Sequence, residues 1–198
     1  MAILVHLKPF PAPKPQNITL IGMPGSGKSS VAKWFMENPI PAARMKQIRV
    51  FDTDELMVQR IGRKKFLGLK RREFLLLEER TVLSLGAKID KCAHSLISTG
   101  GSVIYSEQAM NFLREISFVV FLESSVESLL QRIGWYRICN RAIVGLEPHA
   151  QERKSVERSF ANLYAARQGL YKKYADAQIS ADDAQIPEIA MEISKLIS

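Results

Sequence analysis

The sequence predicts an α/β domain built on a parallel sheet. Three observations carry this. A glycine-rich stretch, Gly22 to Ser30, lies between an apolar run that suits a buried strand and a segment that suits a helix. A further run, Phe118 to Leu122, is apolar and continuous rather than alternating, as expected of a strand covered on both faces, and Ser95 to Thr99 reads as another buried strand. Helical and strand-like segments then alternate to the end of the chain, the pattern of a parallel sheet with crossover helices.

At 198 residues the chain is long enough for a full core. Its 46% hydrophobic and 24% charged residues are ordinary for a globular protein and exclude a disordered or fibrous class. No apolar run approaches the roughly 20 residues of a membrane-spanning helix. The first residues lack the basic region and cleavage site of a signal peptide. Cys92 and Cys139 form neither a disulfide framework nor a metal pattern, so a reducing compartment, the cytoplasm, is the expectation. A net charge of +8 suits nucleic acid or an anionic small molecule alike.

Taken in order, residues 1–16 carry Pro9, Pro11, Pro13 and Pro15 and read as a proline-rich N-terminal extension. Residues 17–198 read as one domain. Ile18 to Ile21 is the first strand, and Val31 to Met36 the helix after the glycine loop. The loop matches G-x-x-x-x-G-K-S between strand and helix, the context that identifies a phosphate-binding loop. Gly22, Met23, Pro24, Gly25, Ser26, Gly27, Lys28, Ser29 and Ser30 are therefore candidate nucleotide contacts. The glycines let backbone N–H groups converge on phosphates at a helix N-terminus. Lys28 reaches the β- and γ-phosphates, and Ser29 offers its hydroxyl to Mg²⁺.

Asn38-Pro39-Ile40-Pro41 ends that helix. Ile48 to Phe51 is a short strand that runs into Asp52-Thr53-Asp54, carboxylates at the end of a sheet where ligands bind. One suits the magnesium shell and the other an acceptor hydroxyl; an alternative role for Asp54 is the N-cap of the next helix. Arg60 to Arg72 carries seven cations and no acid. It reads as a solvated face, with an anionic small-molecule site or a nucleic-acid patch as alternatives. Phe66 is the one aromatic there, which disfavours stacking on single strands. Glu73 to Leu85 predicts a helix ended near Gly86, and Gly100-Gly101 at the next strand end permits close approach of a ligand. Ser106 and Ser125 cap two further helices, the second ending near Ile133. Residues 134–151 are irregular and read as a lid. Helix returns through Gln151 to Gln168 and again at Tyr171 to Tyr174, followed by a strand at 177–179 and a helix from about Pro187 to Leu196.

The ordered set of the glycine loop, Asp52-Thr53-Asp54, Ser98-Thr99-Gly100-Gly101, Asn140-Arg141 and Arg167 before Leu170-Tyr171 resembles the shikimate kinase family over nearly everything from residue 17 onward. The resemblance implies a nucleoside-monophosphate-kinase-like three-layer sandwich with a five-stranded parallel sheet of order 2-3-1-4-5. It implies ATP and Mg²⁺ as cofactors, and phosphoryl transfer to a hydroxyl of a small, anionic acceptor, shikimate. It assigns magnesium to Asp52 with Ser29, the acceptor hydroxyl to Asp54, the pocket wall to Gly100 and Gly101, the lid charge to Arg141, the acceptor carboxylate to Arg167 and the adenine to Arg132. The pattern departs at Leu75, where the family's Phe-Arg-x-x-Glu carries its arginine, at Ser102, where it has a third glycine, and at Ala142, where it has a proline. Arg71, four residues before Leu75, is the candidate substitute. A different acceptor, such as a sugar acid or a cofactor precursor, and a nucleotide-binding module without turnover are the alternatives. A monomer is the expected state.

Overall fold

Short apolar runs build the sheet, and amphipathic segments cover it. The computed structural model describes residues 3–6, 8, 17–38, 48–89, 94–134, 143–146 and 153–197. Its strands are β1 (Ile3–His6), β2 (Asn17–Ile21), β3 (Arg49–Asp52), β4 (Ser95–Ser98), β5 (Phe118–Glu123) and β6 (Ala177–Ser180). Its helices are α1 (Lys28–Glu37), α2 (Thr53–Ile61), α3 (Arg63–Leu67), α4 (Arg71–Leu83), α5 (Glu107–Ile116), α6 (Val126–Ile133), α7 (Arg153–Tyr174) and α8 (Ile186–Ile197). Tight 3₁₀ turns lie at Ser84–Ala87 and Val103–Tyr105.

The strand order is β1-β6-β5-β2-β4-β3. The parallel part, β3-β4-β2-β5-β6, is the expected 2-3-1-4-5 when its five strands are numbered along the chain. β1 is an addition. It lies in the stretch expected as an extension, yet pairs antiparallel with β6 from Ile3↔Ser180 to His6↔Ala177. Ile-Leu-Val-His is β-prone and precedes the first proline, and the open edge of β6 offers backbone partners.

Alternation along the central strands makes three layers. Ile18, Leu20, Leu96, Val120 and Leu122 pack with α1 and α8 on one face. Ile21, Ile97, Val119 and Phe121 pack with α4, α5, α6 and α7 on the other. The ligand-facing loops therefore emerge together at the C-terminal ends of the parallel strands.

Helix ends follow local chemistry, with corrections. Ser106 and Ser125 cap α5 and α6 by accepting from Ala109 N and Ser128 N. The cap of α2 is Asp52, not Asp54: its side chain accepts from Asp54 N and Glu55 N. α4 starts two residues before Glu73, because Lys70 N–H donates to Glu73 Oε2 at 2.9 Å. α7 runs unbroken through Gly169, where the sequence predicts a gap. Leu163, Arg167, Tyr171 and Tyr174 form a buried stripe along it, and that packing outweighs the roughly 1 kcal/mol cost of one glycine. Of the lid stretch, residues 134 and 143–146 are described; Arg141 lies outside the described residues.

Candidate active site

The glycine loop leaves β2 and enters α1. Gly25 and Gly27 adopt φ of 86° and 95°, which a side chain disfavours. A Cβ on Gly25 would also stand 2.5 Å from Ile133 Cγ1. Gly27 begins α1 with no side-chain cap, so the first N–H groups of the helix face the loop's concavity. Lys28 is buried and folds over the same loop. Its Nζ donates to Gly22 O and Met23 O, each at 2.8 Å, and to Ser26 Oγ at 3.3 Å. A cation and a nest of N–H groups together favour a polyphosphate.

Asp52 ties three elements together at the sheet's end. Its Oδ2 accepts from Ser29 Oγ at 2.7 Å and Ser98 Oγ at 3.1 Å, while Oδ1 caps α2. This all-oxygen set fits Mg²⁺, which is held by one or two protein oxygens with water and phosphate completing the shell. No cluster of three or more His, Cys, Asp or Glu side chains that could cage an ion exists among the described residues. Asp54 loses the alternative role of helix cap, since Asp52 holds that position and Asp54 sits in the first turn.

One cavity of about 780 Å³ joins these groups. It is lined by residues 24–30, Asp54, Thr99, Gly101, Arg132, Ile133 and residues 182–186. Arg132 donates to Ala181 O, to Asp182 O at 2.6 Å and to Ser124 Oγ at 3.2 Å, so it pins the β6–α8 connection as the far wall. No motif in the sequence marks that connection. Its signal was position, an acidic pair at the C-terminal end of a parallel strand.

The other side of the crevice is made of side chains from separate elements. Arg167 of α7 is 1% exposed. Its Nε donates to Tyr105 Oη at 3.1 Å and Nη2 to Val144 O at 2.6 Å, and its guanidinium lies 5.1 Å from the Tyr105 ring centre. Tyr171, one turn on, donates to Gly101 O at 2.6 Å and stacks on Phe121. Burial raises the Tyr171 phenol far above its ordinary range, which keeps it a donor. Gly100 N–H donates to Thr53 Oγ1 at 3.1 Å, closing the glycine turn against α2.

Arg71 is exposed and does not reach the 780 Å³ cavity. It lines a second cavity of about 370 Å³ with Arg72, Leu75, Leu76, Glu79 and Tyr105. Tyr105 is thus shared between Arg71's cavity and Arg167. All seven cations of residues 60–72 are exposed.

Glu78 of α4 is a residue whose environment the sequence reading missed. It is 2% exposed and accepts from Ser102 Oγ at 2.7 Å. Burial pushes its carboxyl up to about 8, with the Asp54 charge adding to the rise and the Ser102 hydrogen bond, Arg167 and Lys28 opposing it. A signal was available: Glu78 shares a helical face with Thr81, Val82 and Leu85, all buried.

Known proteins are similar over most of the chain. The shikimate kinase family model matches residues 24–198. A shikimate kinase of Xylella fastidiosa is 31% identical over 179 residues, 87% of this chain and 84% of that protein. A solved shikimate kinase from Acinetobacter baumannii, in complex with shikimate, superposes with a TM-score of 0.68 at 25% identity over 91% of this chain and 92% of its own. One from Bacteroides thetaiotaomicron does so with a TM-score of 0.70 at 21% identity over 91% and 97%, a likeness of fold. Among the described residues, no helix is long and apolar enough to cross a membrane.

Proposed function

The chain belongs to the shikimate kinase family, and on that premise we propose how its own residues carry the reaction. It is an ATP-dependent small-molecule kinase that phosphorylates a hydroxyl of shikimate, giving shikimate 3-phosphate. The single observation that carries the residue assignment is the convergence of Lys28, Ser29, Asp54 and Gly101 on one cavity, with Asp52 bonded to Ser29 at its edge.

The loop's N–H groups, from Gly22 to Ser30, hold the phosphates. Lys28 leaves the loop carbonyls for the β- and γ-phosphate oxygens and offsets charge on the transferring group. Ser29 and Asp52 would hold Mg²⁺, which would supply positive charge against the charge that develops on the phosphates. Arg132 lies along the adenine against the 182–186 wall. Asp54 orients the acceptor hydroxyl and takes its proton as the bond to phosphorus forms. Gly100 and Gly101 let the ring approach the backbone. Arg141, in the lid, supplies a further cation to the transferring group, and closure excludes the water that would otherwise hydrolyse ATP. Arg167 grips the acceptor carboxylate, and Arg71, in the neighbouring cavity with Leu75 and Tyr105, is the candidate for the part of the absent arginine. The reading extends to a cytoplasmic monomer, the first supported by cysteines without a disulfide pattern.

A different acceptor and a module without turnover are not favoured, since the curated relative and the solved shikimate complex span nearly the whole chain. The test is ADP release with MgATP, with and without shikimate, beside Lys28→Ala. Shikimate-dependent release that the variant lacks is expected. ATP binding with no response to shikimate would sink the assignment.

A further inference from the structure

The net charge of the chain has one address. Of 28 Lys and Arg against 20 Asp and Glu, seven cations and no acid fall within residues 60–72, which leaves 21 against 20 for everything else. The segment folds as one corner: the last turn of α2, the short α3 and the first turn of α4, with the Phe66 and Phe74 rings 5.6 Å apart between centres. All seven cations are exposed, and among the described residues none is in an ion pair, although exposed pairs such as Lys33–Glu37 and Arg153–Glu157 form elsewhere. Lys70, Arg71 and Arg72 also stand at the N-terminal end of α4, where the helix dipole disfavours positive charge and Glu73 is the one acid of the first turn. Such charges work against the helix they begin, as residues kept for function do.

Beside these charges is the second cavity, of about 370 Å³, between α4 and the turn that leads into α5. Leu75, Leu76 and Tyr105 give it an apolar lining, and Arg71 and Arg72 line it too. Glu79, the one acid in the lining, is engaged by Ser106 Oγ at 2.6 Å. A concave apolar lining beside unpaired cations selects its occupant. A nucleic acid backbone offers phosphates but no apolar knob, and Phe66 is packed on Phe74 rather than free to stack on bases. A bilayer is too flat to enter a recess between a helix and a turn. An acidic polypeptide supplies both parts, carboxylates for the cations and one large apolar side chain for the recess. We propose that residues 60–76 form a docking surface for an acidic protein segment with an aromatic or large aliphatic anchor. The anchor sits against Leu75 and Leu76, and the carboxylates that flank it pair with the surrounding cations. The inference goes beyond the kinase reading and does not rest on it.

The experiment is fluorescence anisotropy of a labelled synthetic peptide, one Phe between two runs of Asp and Glu, titrated with the full chain. Its counterparts carry Gly for the Phe, or Ser and Gln for the acids. The acidic Phe peptide should bind and the neutral one should not, and binding should fall steeply between about 0.1 M and about 0.5 M salt. Gly in place of Phe should weaken binding about tenfold. Leu76→Ser should weaken the Phe peptide about tenfold and leave the Gly peptide unchanged. Lys64→Gln, Lys65→Gln and Arg72→Gln together should weaken binding roughly 30-fold, about threefold for each charge, with a urea midpoint equal to or above that of the wild type. No binding of the Phe peptide, equal affinity for the Phe and Gly peptides, or a Leu76→Ser loss shared by both overturns the inference. So does tighter binding to a duplex oligonucleotide or to phosphatidylglycerol vesicles than to the peptide. A lowered midpoint in the triple variant overturns it as well, since the cations would then serve the fold. No step reads turnover, so failure here leaves the kinase reading standing, and failure of shikimate turnover leaves this one.

Discussion

On the nucleotide side of the crevice, the polar groups come from consecutive residues, Gly22 to Ser30, and many of them are backbone N–H groups. Across from them, Asp54, Glu78, Tyr105 and Arg167 come from α2, α4, a 3₁₀ turn and α7. The first site is a local conformation and needs little beyond glycines that tolerate positive φ. The second exists only once four elements have packed. The loop matches its motif in full, whereas the resemblance to the family breaks at Leu75 and Ser102. Leu75 is one side chain among several on the second side, with Arg71 beside it in a separate cavity.

Variants on the two sides should separate cleanly. Lys28→Ala has the largest expected effect, a fall in kcat of about 10³-fold, or about 4 kcal/mol, read as shikimate-dependent ADP release. A loss below tenfold would mean that the loop's backbone alone carries the phosphates. Arg167→Lys loses the fork that spans Tyr105 and Val144. The KM for shikimate should rise about 10²-fold, about 2.7 kcal/mol, with a smaller change in kcat and none in KM for MgATP. An equal loss of nucleotide affinity would break the separation of the two halves.

Glu78 tests the acceptor wall through stability. Its carboxyl sits at about 8 in the folded chain against an ordinary 4.5, so the folded state keeps a proton that the unfolded state releases. That contribution is full below about 4.5 and is lost as pH rises through about 8. Glu78→Gln should therefore gain about 3 kcal/mol on the wild type between about pH 5.5 and about pH 9, measured as urea midpoints. Midpoints that move together would show that Glu78 ionises without cost. Arg71→Ala is the smallest: its guanidinium is exposed, so the KM for shikimate should rise about fivefold, about 1 kcal/mol, with MgATP unaffected. No change would leave Arg167 as the acceptor's main anchor.

Legibility follows the same division. Gly25, Lys28 and Ser29 could be read from spacing because a strand, a tight turn and a helix start are all short-range. Residue order alone offers Asp54 as an alternative cap of α2, because Asp52 and Asp54 both precede the helix; the choice depends on where β3 stops. Gly169 looked like a break because propensity is local, whereas α7 is held by what Leu163, Arg167 and Tyr171 pack against. Residues 3–6 looked like the start of a tail because nothing in their sequence reveals that β6 has a free edge.

From the sequence by itself came the parallel α/β class, the phosphate loop, the carboxylates at a strand end and the glycine pair across from them. These depend on periodicity and on residues a few positions apart, which the chain encodes directly. Tertiary structure alone decided that Arg167 is buried against Tyr105, that Arg71 shares a cavity with Leu75, and that Glu78 and Asp54 face one point beside Gly100. Those relations join residues far apart in the chain, and the protonation of a carboxyl depends on the burial and charges that only their packing creates.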